Sequence, residues 1–133
     1  MRLIIIMVVA VATSTFSCAQ KKVNPPTAVI TAFNNQFAGA TKIKWEKEEG
    51  KYEAGFVQTN IATSALFSAG GSLEETEIVI AVTDLPAAAL QYARTKGKIK
   101  EATKITNADG IIKYEAEING KDLFFDAAGS FIK

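Results

Sequence analysis

The sequence predicts an α+β fold in which two helix-plus-β-meander repeats form one mostly antiparallel sheet with two helices on one face. Three observations lead there. Two short segments, each opening at proline, carry apolar residues at helical spacing. Each is followed by runs that alternate polar and apolar residues and break at turn-forming residues. The halves also match in letters: Tyr52-Glu53-Ala54 with Tyr114-Glu115-Ala116, and Leu66-Phe67-Ser68-Ala69-Gly70-Gly71-Ser72-Leu73 with Phe124-Phe125-Asp126-Ala127-Ala128-Gly129-Ser130-Phe131. A short sheet with one apolar face and a single helix buries little alone, so two units sharing a sheet is the economical arrangement.

The chain opens with a positive end, Met1-Arg2, then an uninterrupted apolar run from Leu3 to Ala12, then small and polar residues to Ala19. This is the pattern of a secretory signal peptide over residues 1–19. The apolar run would cover about 15 Å as a helix, roughly half a hydrocarbon core, which is too short to span. Two outcomes at the cut stay open. Thr15-Phe16-Ser17-Cys18 resembles a loose lipoprotein box, which would make Cys18 a lipidated N-terminus. Ser17-Cys18-Ala19 also fits ordinary cleavage before Gln20, which would remove the thiol. Residues 20–25 then form a linker, residues 26–83 the first repeat and residues 84–133 the second.

Within the first repeat, Pro25-Pro26 opens a helix over 26–37 whose inner face is Val29, Ile30, Phe33 and Phe37, ending near Gly39. Alternation predicts strands over 42–47, 52–57, 61–67 and 72–82. Trp45 reads as core in register with Ile43, and Tyr52, Ala54 and Phe56 share a face. In the second repeat Asp84 is placed to cap a helix over 85–96, with Leu85, Ala89, Tyr92 and Ala93 inward. Strands over 99–107, 111–119, 121–126 and 130–133 follow, divided by Asp109-Gly110, Asn119-Gly120 and Ala128-Gly129. Alternation sends Lys44, Glu46, Glu53, Val57, Glu75, Val79, Glu115 and Glu117 to the solvent face.

Composition narrows the chemistry. Among 133 residues there is no His, one Cys, and 15 Lys+Arg against 14 Asp+Glu. The commonest general base and the commonest transition-metal ligand are therefore missing, as are an internal disulfide and a thiolate metal cluster. Removing residues 1–19 takes away Arg2 and leaves basic and acidic side chains in balance, without the excess of positive charge that nucleic-acid binding draws on. Lys96, Lys98, Lys100 and Lys104, interrupted by Glu101, read as a solvated stretch. Glu74, Glu75 and Glu77 with Asp84 are the densest carboxylates. No Asp-x-Asp-x-Asp-Gly calcium loop accompanies them, and they read as a solvated or salt-bridged face.

An apolar helix, Trp45-Glu46, Gly50-Lys51-Tyr52-Glu53-Ala54, Leu66-Phe67 with a glycine turn, Glu74-Glu75-Thr76-Glu77, Leu85-Pro86 and a second Tyr-Glu-Ala form an ordered set over about residues 27–133. That set resembles the PepSY-like family, exported proteins frequent in Bacteroidetes, built as tandem repeats and related in fold to the beta-lactamase inhibitor protein. The resemblance implies a non-enzymatic periplasmic or surface domain that binds or inhibits another protein. The inhibitor's disulfides cannot form here, and none of its contact residues is matched one for one, so beta-lactamase inhibition is not carried over.

The functional expectation is a non-enzymatic exported module, periplasmic or secreted, that holds an envelope protein through its exposed sheet face. Lys44, Glu46, Glu49, Glu53, Asn60 and Glu75 form the candidate surface, which takes in the hairpin tips at 48–50 and 59–60. No cofactor, catalytic residue or nucleic acid is expected, and the membrane enters only through a lipid on Cys18. The alternative is a small-ligand or cation-binding envelope domain.

Overall fold

In the computed structural model, residues 22–133 are described. The expected signal peptide, Cys18 and the start of the linker lie outside the described residues.

Helix α1, Thr27–Gln36, starts on Pro26, whose carbonyl accepts from the amides of Val29 and Ile30 at 3.0 and 3.1 Å. Four strands follow: β1 Thr41–Glu48, β2 Lys51–Gln58, β3 Ile61–Phe67 and β4 Leu73–Ile80. A short 3-10 turn at Val82–Asp84 leads to α2, Ala87–Lys96, and then to β5 Glu101–Asn107, β6 Ile112–Ile118 and β7 Lys121–Asp126. The seven strands lie in chain order in one sheet, each antiparallel to its neighbours. The halves join where Glu75–Ile80 of β4 pairs with Ala102–Asn107 of β5.

Register shows that both helices cover the same face. Ala54 pairs with Ala65, Ala65 with Thr76 and Thr76 with Thr106; Ala102, four residues from Thr106, pairs with Ala116. Directly paired residues share a face. Val29 and Phe33 of α1 pack on Tyr52, Ala54, Phe56, Ala65 and Phe67, while Ala89 and Ala93 of α2 pack on Ala102, Ala116, Ile118 and Phe125. Phe33 centres the first core, its ring 5.0 Å from Phe56 and 5.2 Å from Trp45 in edge-on contacts. The matching letters occupy equivalent ladder positions: Tyr52 opposes Phe67 and Tyr114 opposes Phe125.

Two glycine turns clamp the helices to the sheet. After β3, the Ser68 carbonyl accepts from Gly71 at 3.0 Å and its Oγ accepts from Ser72 at 3.1 Å. After β7, the Asp126 carbonyl accepts from Gly129 at 3.0 Å and its Oδ1 accepts from Ala128 and Ser130 at 3.0 and 2.9 Å. The first turn presses on Ala28 at the start of α1, and the second on Pro86 and Ala89 at the start of α2.

Four expectations are corrected. The expected strand at 130–133 is reduced to one bridge, Phe125 to Phe131, accompanied by backbone hydrogen bonds of Phe124 with Lys133 and Ile132. The turn at Asp126–Ser130 takes up the start of the expected strand, and the Phe131 ring stacks on Tyr92 at 4.7 Å. The long strand 72–82 stops at Ile80, and the chain turns through Val82–Asp84. Asp84 does not cap α2: Leu85, before Pro86, is held extended at ψ 145°, so the helix starts past it on Pro86 with no side-chain cap. Ile43 does not share the core with Trp45. A register shift between Thr41 and Lys44 leaves Ile43 42% exposed, on the side away from the helices.

Candidate functional site

The sheet face opposite the helices is built from the alternate residue of every strand. Reading across rows, Glu46 opposes Glu53, Glu53 opposes Leu66 and Leu66 opposes Glu75. In the next rows Ser64 opposes Glu77 and Glu77 opposes Ile105, while Val79 opposes Thr103 and Thr103 opposes Glu115. Glu101, Glu117 and Asp122 continue the acidic surface on β5–β7. Toward the β1 side this face forms a concavity of about 520 Å³. Its walls are mostly apolar, from Ile43, Val57, Ala62 and Val79; Glu46, Glu53 and Glu77 are its acidic groups, and Lys42 and Lys44 stand on the outer strand.

The centre of the face is buried although neither of the two described helices covers it. Thr103 is 2% exposed, Glu115 3%, Ile105 4% and Glu77 6%. The Oε2 atoms of Glu77 and Glu115 are fully enclosed and have no hydrogen-bond partner. Burial, followed by the negative charge of Glu115, Glu75 and Glu53, pushes the Glu77 carboxyl up to about 8. Burial, followed by Asp122, Glu101, Glu117 and Glu75, pushes Glu115 up to about 8 as well. Both are held largely as neutral acids at neutral pH. Burial also raises Glu53, opposed by a hydrogen bond from Ser64. Two ion pairs are formed among the described residues, Lys51 with Glu74 and Lys100 with Glu117, and neither lies in the concavity. No group of three Asp, Glu, His or Cys side chains is arranged to hold a metal ion among the described residues.

No family model matches this chain, and no curated protein does. Solved structures do match. A Bacteroides eggerthii protein provisionally described as periplasmic superposes with a TM-score of 0.71 at 17% identity, covering 84% of this chain and 88% of its own. A BLIP-like protein from Bacteroides fragilis gives 0.64 at 20% identity, covering 84% and 85%. A DUF2874 family protein from Bacteroides ovatus gives 0.66 at 19% identity, covering 84% and 86%. The fold is BLIP-like.

On this BLIP-like sheet the candidate residues separate into two groups. Lys44, Glu46 and Glu53 share the concavity, and Glu75 lies beside them, close enough for its charge to raise Glu53 and Glu77. Glu49 and Asn60 do not join them. They are exposed hairpin-tip residues at opposite ends of the eight-residue β2, roughly 26 Å apart along the strand. Their positive φ values, 48° and 63°, belong to tight two-residue turns. Glu77, expected on a solvated face, is instead buried at the floor. The signal that could have found it was position: alternation puts Glu77 on the open face, and β4 is the fourth of seven strands, flanked on both sides.

Proposed function

We propose that this chain is an exported, non-enzymatic binding module of the PepSY-like kind, acting in the periplasm or at the cell surface, that holds another protein on its open sheet face. In this reading the leader ends either with lipidation of Cys18 or with cleavage before Gln20. The observation that supports the reading best is the concavity, with apolar walls suited to packing and a charged rim suited to selecting a partner. The BLIP-like fold and the export pattern at the N-terminus agree with it.

The test is affinity capture from the native cell envelope with wild-type protein and with a Glu46→Lys/Glu53→Lys double variant. A partner retained by wild type is expected to bind the double variant at least tenfold more weakly, while Glu49→Lys, off the concavity, leaves binding unchanged. Equal retention by all three contradicts the reading. A thermal-shift screen against calcium, magnesium and envelope glycans is expected to show no stabilisation; a shift of several degrees would favour the small-ligand alternative.

A further inference from the structure

We infer that the concavity is a socket for a basic loop of the partner protein, one Lys or Arg of which reaches the carboxyl of Glu77 while its stem and neighbours lie on Val57 and Val79. This rests on the protein-binding reading above and names the chemistry of its partner.

Three independent observations converge. The first is the unmet hydrogen-bonding capacity of Glu77. Its residue is 6% exposed, it lines the concavity, and its Oε2 has no partner in the protein. A buried polar atom without a partner is costly, and a turn of the Glu77 carboxyl toward the concavity that the residue lines would let a donor arriving from outside satisfy it.

The second is charge. The groups facing Glu77 are Glu75 on its own strand, Glu53 and Glu46 from β2 and β1, Glu115 from β6, and the hydroxyls of Ser64 and Thr103. Lys42 and Lys44 are exposed on the outer strand at the edge of the concavity, Lys44 in the row of Glu77 beyond Gly55 and Ser64. Lys113 is exposed in the same row as Glu77, two strands away, beyond Ile105. The titratable groups of the floor are thus all carboxyls, and a cation is complementary to them as they ionise. Apolar walls around an acidic floor match the aliphatic stem and charged head of Lys or Arg.

The third is Gly55. It sits in the middle of β2, where glycine weakens a strand, yet neither the backbone nor the packing requires it. Its φ is not in the left-handed region, and an added Cβ would touch nothing within 4 Å. What a side chain there would occupy is the concavity itself, between Lys44 and Ser64. A volume of about 520 Å³ exceeds one side chain and suits a short loop carrying it.

The test uses three capped pentapeptides, Ala-Leu-Lys-Leu-Ala and the same peptide with glutamate or norleucine at its centre, titrated into the protein and followed by amide NMR shifts. The lysine peptide is expected to shift Gly55, Val57, Glu77 and Val79 saturably, with an affinity at least tenfold above the other two. That affinity is expected to rise between pH 6.5 and 8.5 as Glu77 ionises, and Glu77→Gln should abolish the rise. Gly55→Val, which fills the socket without touching the core, should weaken lysine-peptide binding at least tenfold while the melting temperature stays the same or increases. Equal shifts from the norleucine or glutamate peptide would overturn the inference and leave the broader protein-binding reading standing. Absence of shifts from all three at millimolar concentration would also overturn it; retention of an envelope partner by wild type but not by Glu46→Lys/Glu53→Lys would then show that only the basic-loop chemistry had failed.

Discussion

Replacing Glu77 and Glu115 with glutamine is expected to stabilise this protein at pH 8 and to remove most of the pH dependence of its stability. Each carboxyl titrates near 4.5 when unfolded and is raised to about 8 in the fold. Between those values the native state carries a proton that the unfolded state has released, so stability falls as pH rises, by at most about 1.4 kcal/mol per pH unit for each group. Below about pH 4.5 both states are protonated and neither group makes stability depend on pH. Above pH 8 the full cost of two buried, mutually repelling carboxylates is present. Urea denaturation at pH 5, 6, 7 and 8 should therefore show wild-type stability declining across the series, with each single Gln variant gaining on the order of 2–4 kcal/mol at pH 8 and little at pH 5. Because the Glu115 charge is one of the causes that raise Glu77, the double variant should gain less than the sum of the singles. A flat pH series for wild type would contradict this.

Alanine at Gly129 or Gly71 should be among the most damaging single substitutions in the molecule. A Cβ on Gly129 would stand 2.8 Å from Pro86 Cβ and 2.9 Å from the Ala89 amide nitrogen; on Gly71 it would stand 2.7 Å from the Ala28 carbonyl oxygen. Both residues also have φ near +90°, a conformation that L side chains rarely adopt. Relieving either clash means lifting the first turn of a helix from the sheet. A loss of about 2–4 kcal/mol is expected for each, read from the denaturation midpoint. Gly55→Ala, with open space and an ordinary φ, should be neutral or gain about 0.5 kcal/mol. A similar loss at all three positions would show that the helix-clamping account of Gly71 and Gly129 is wrong.

Much of the fold is legible in the sequence because local chemistry and tertiary packing agree there. The two helix starts lie at Pro26 and Pro86 because proline tolerates the first helical turn, and the strands follow their period of two. The matching turns at Gly71 and Gly129 are recognisable as letters and also do the same mechanical work. Legibility fails where a turn or a bulge overrides the alternating pattern. The turn at Asp126–Ser130 leaves the expected last strand a single bridge at Phe131, and the bulge before Lys44 reverses Ile43.

The site divides in the same way. Alternation identifies Lys44, Glu46, Glu53 and Glu75 as residents of the open face. Charged letters suggest solvent, however, whereas Glu77 and Glu115 are buried on strands that have neighbours on both sides. Glu49 and Asn60 attract notice as exposed polar residues, but their geometry belongs to hairpin turns.

The most direct measurement of the central claim is carboxyl-labelling footprinting of the protein with and without its captured partner, read residue by residue by mass spectrometry. Binding on the open face should slow the labelling of Glu46, Glu53 and Glu75 and leave exposed Glu49, Asp84 and Asp109 unchanged. Protection of Asp84 or Asp109, with Glu46, Glu53 and Glu75 labelled as in the free protein, would place the partner elsewhere and contradict the account.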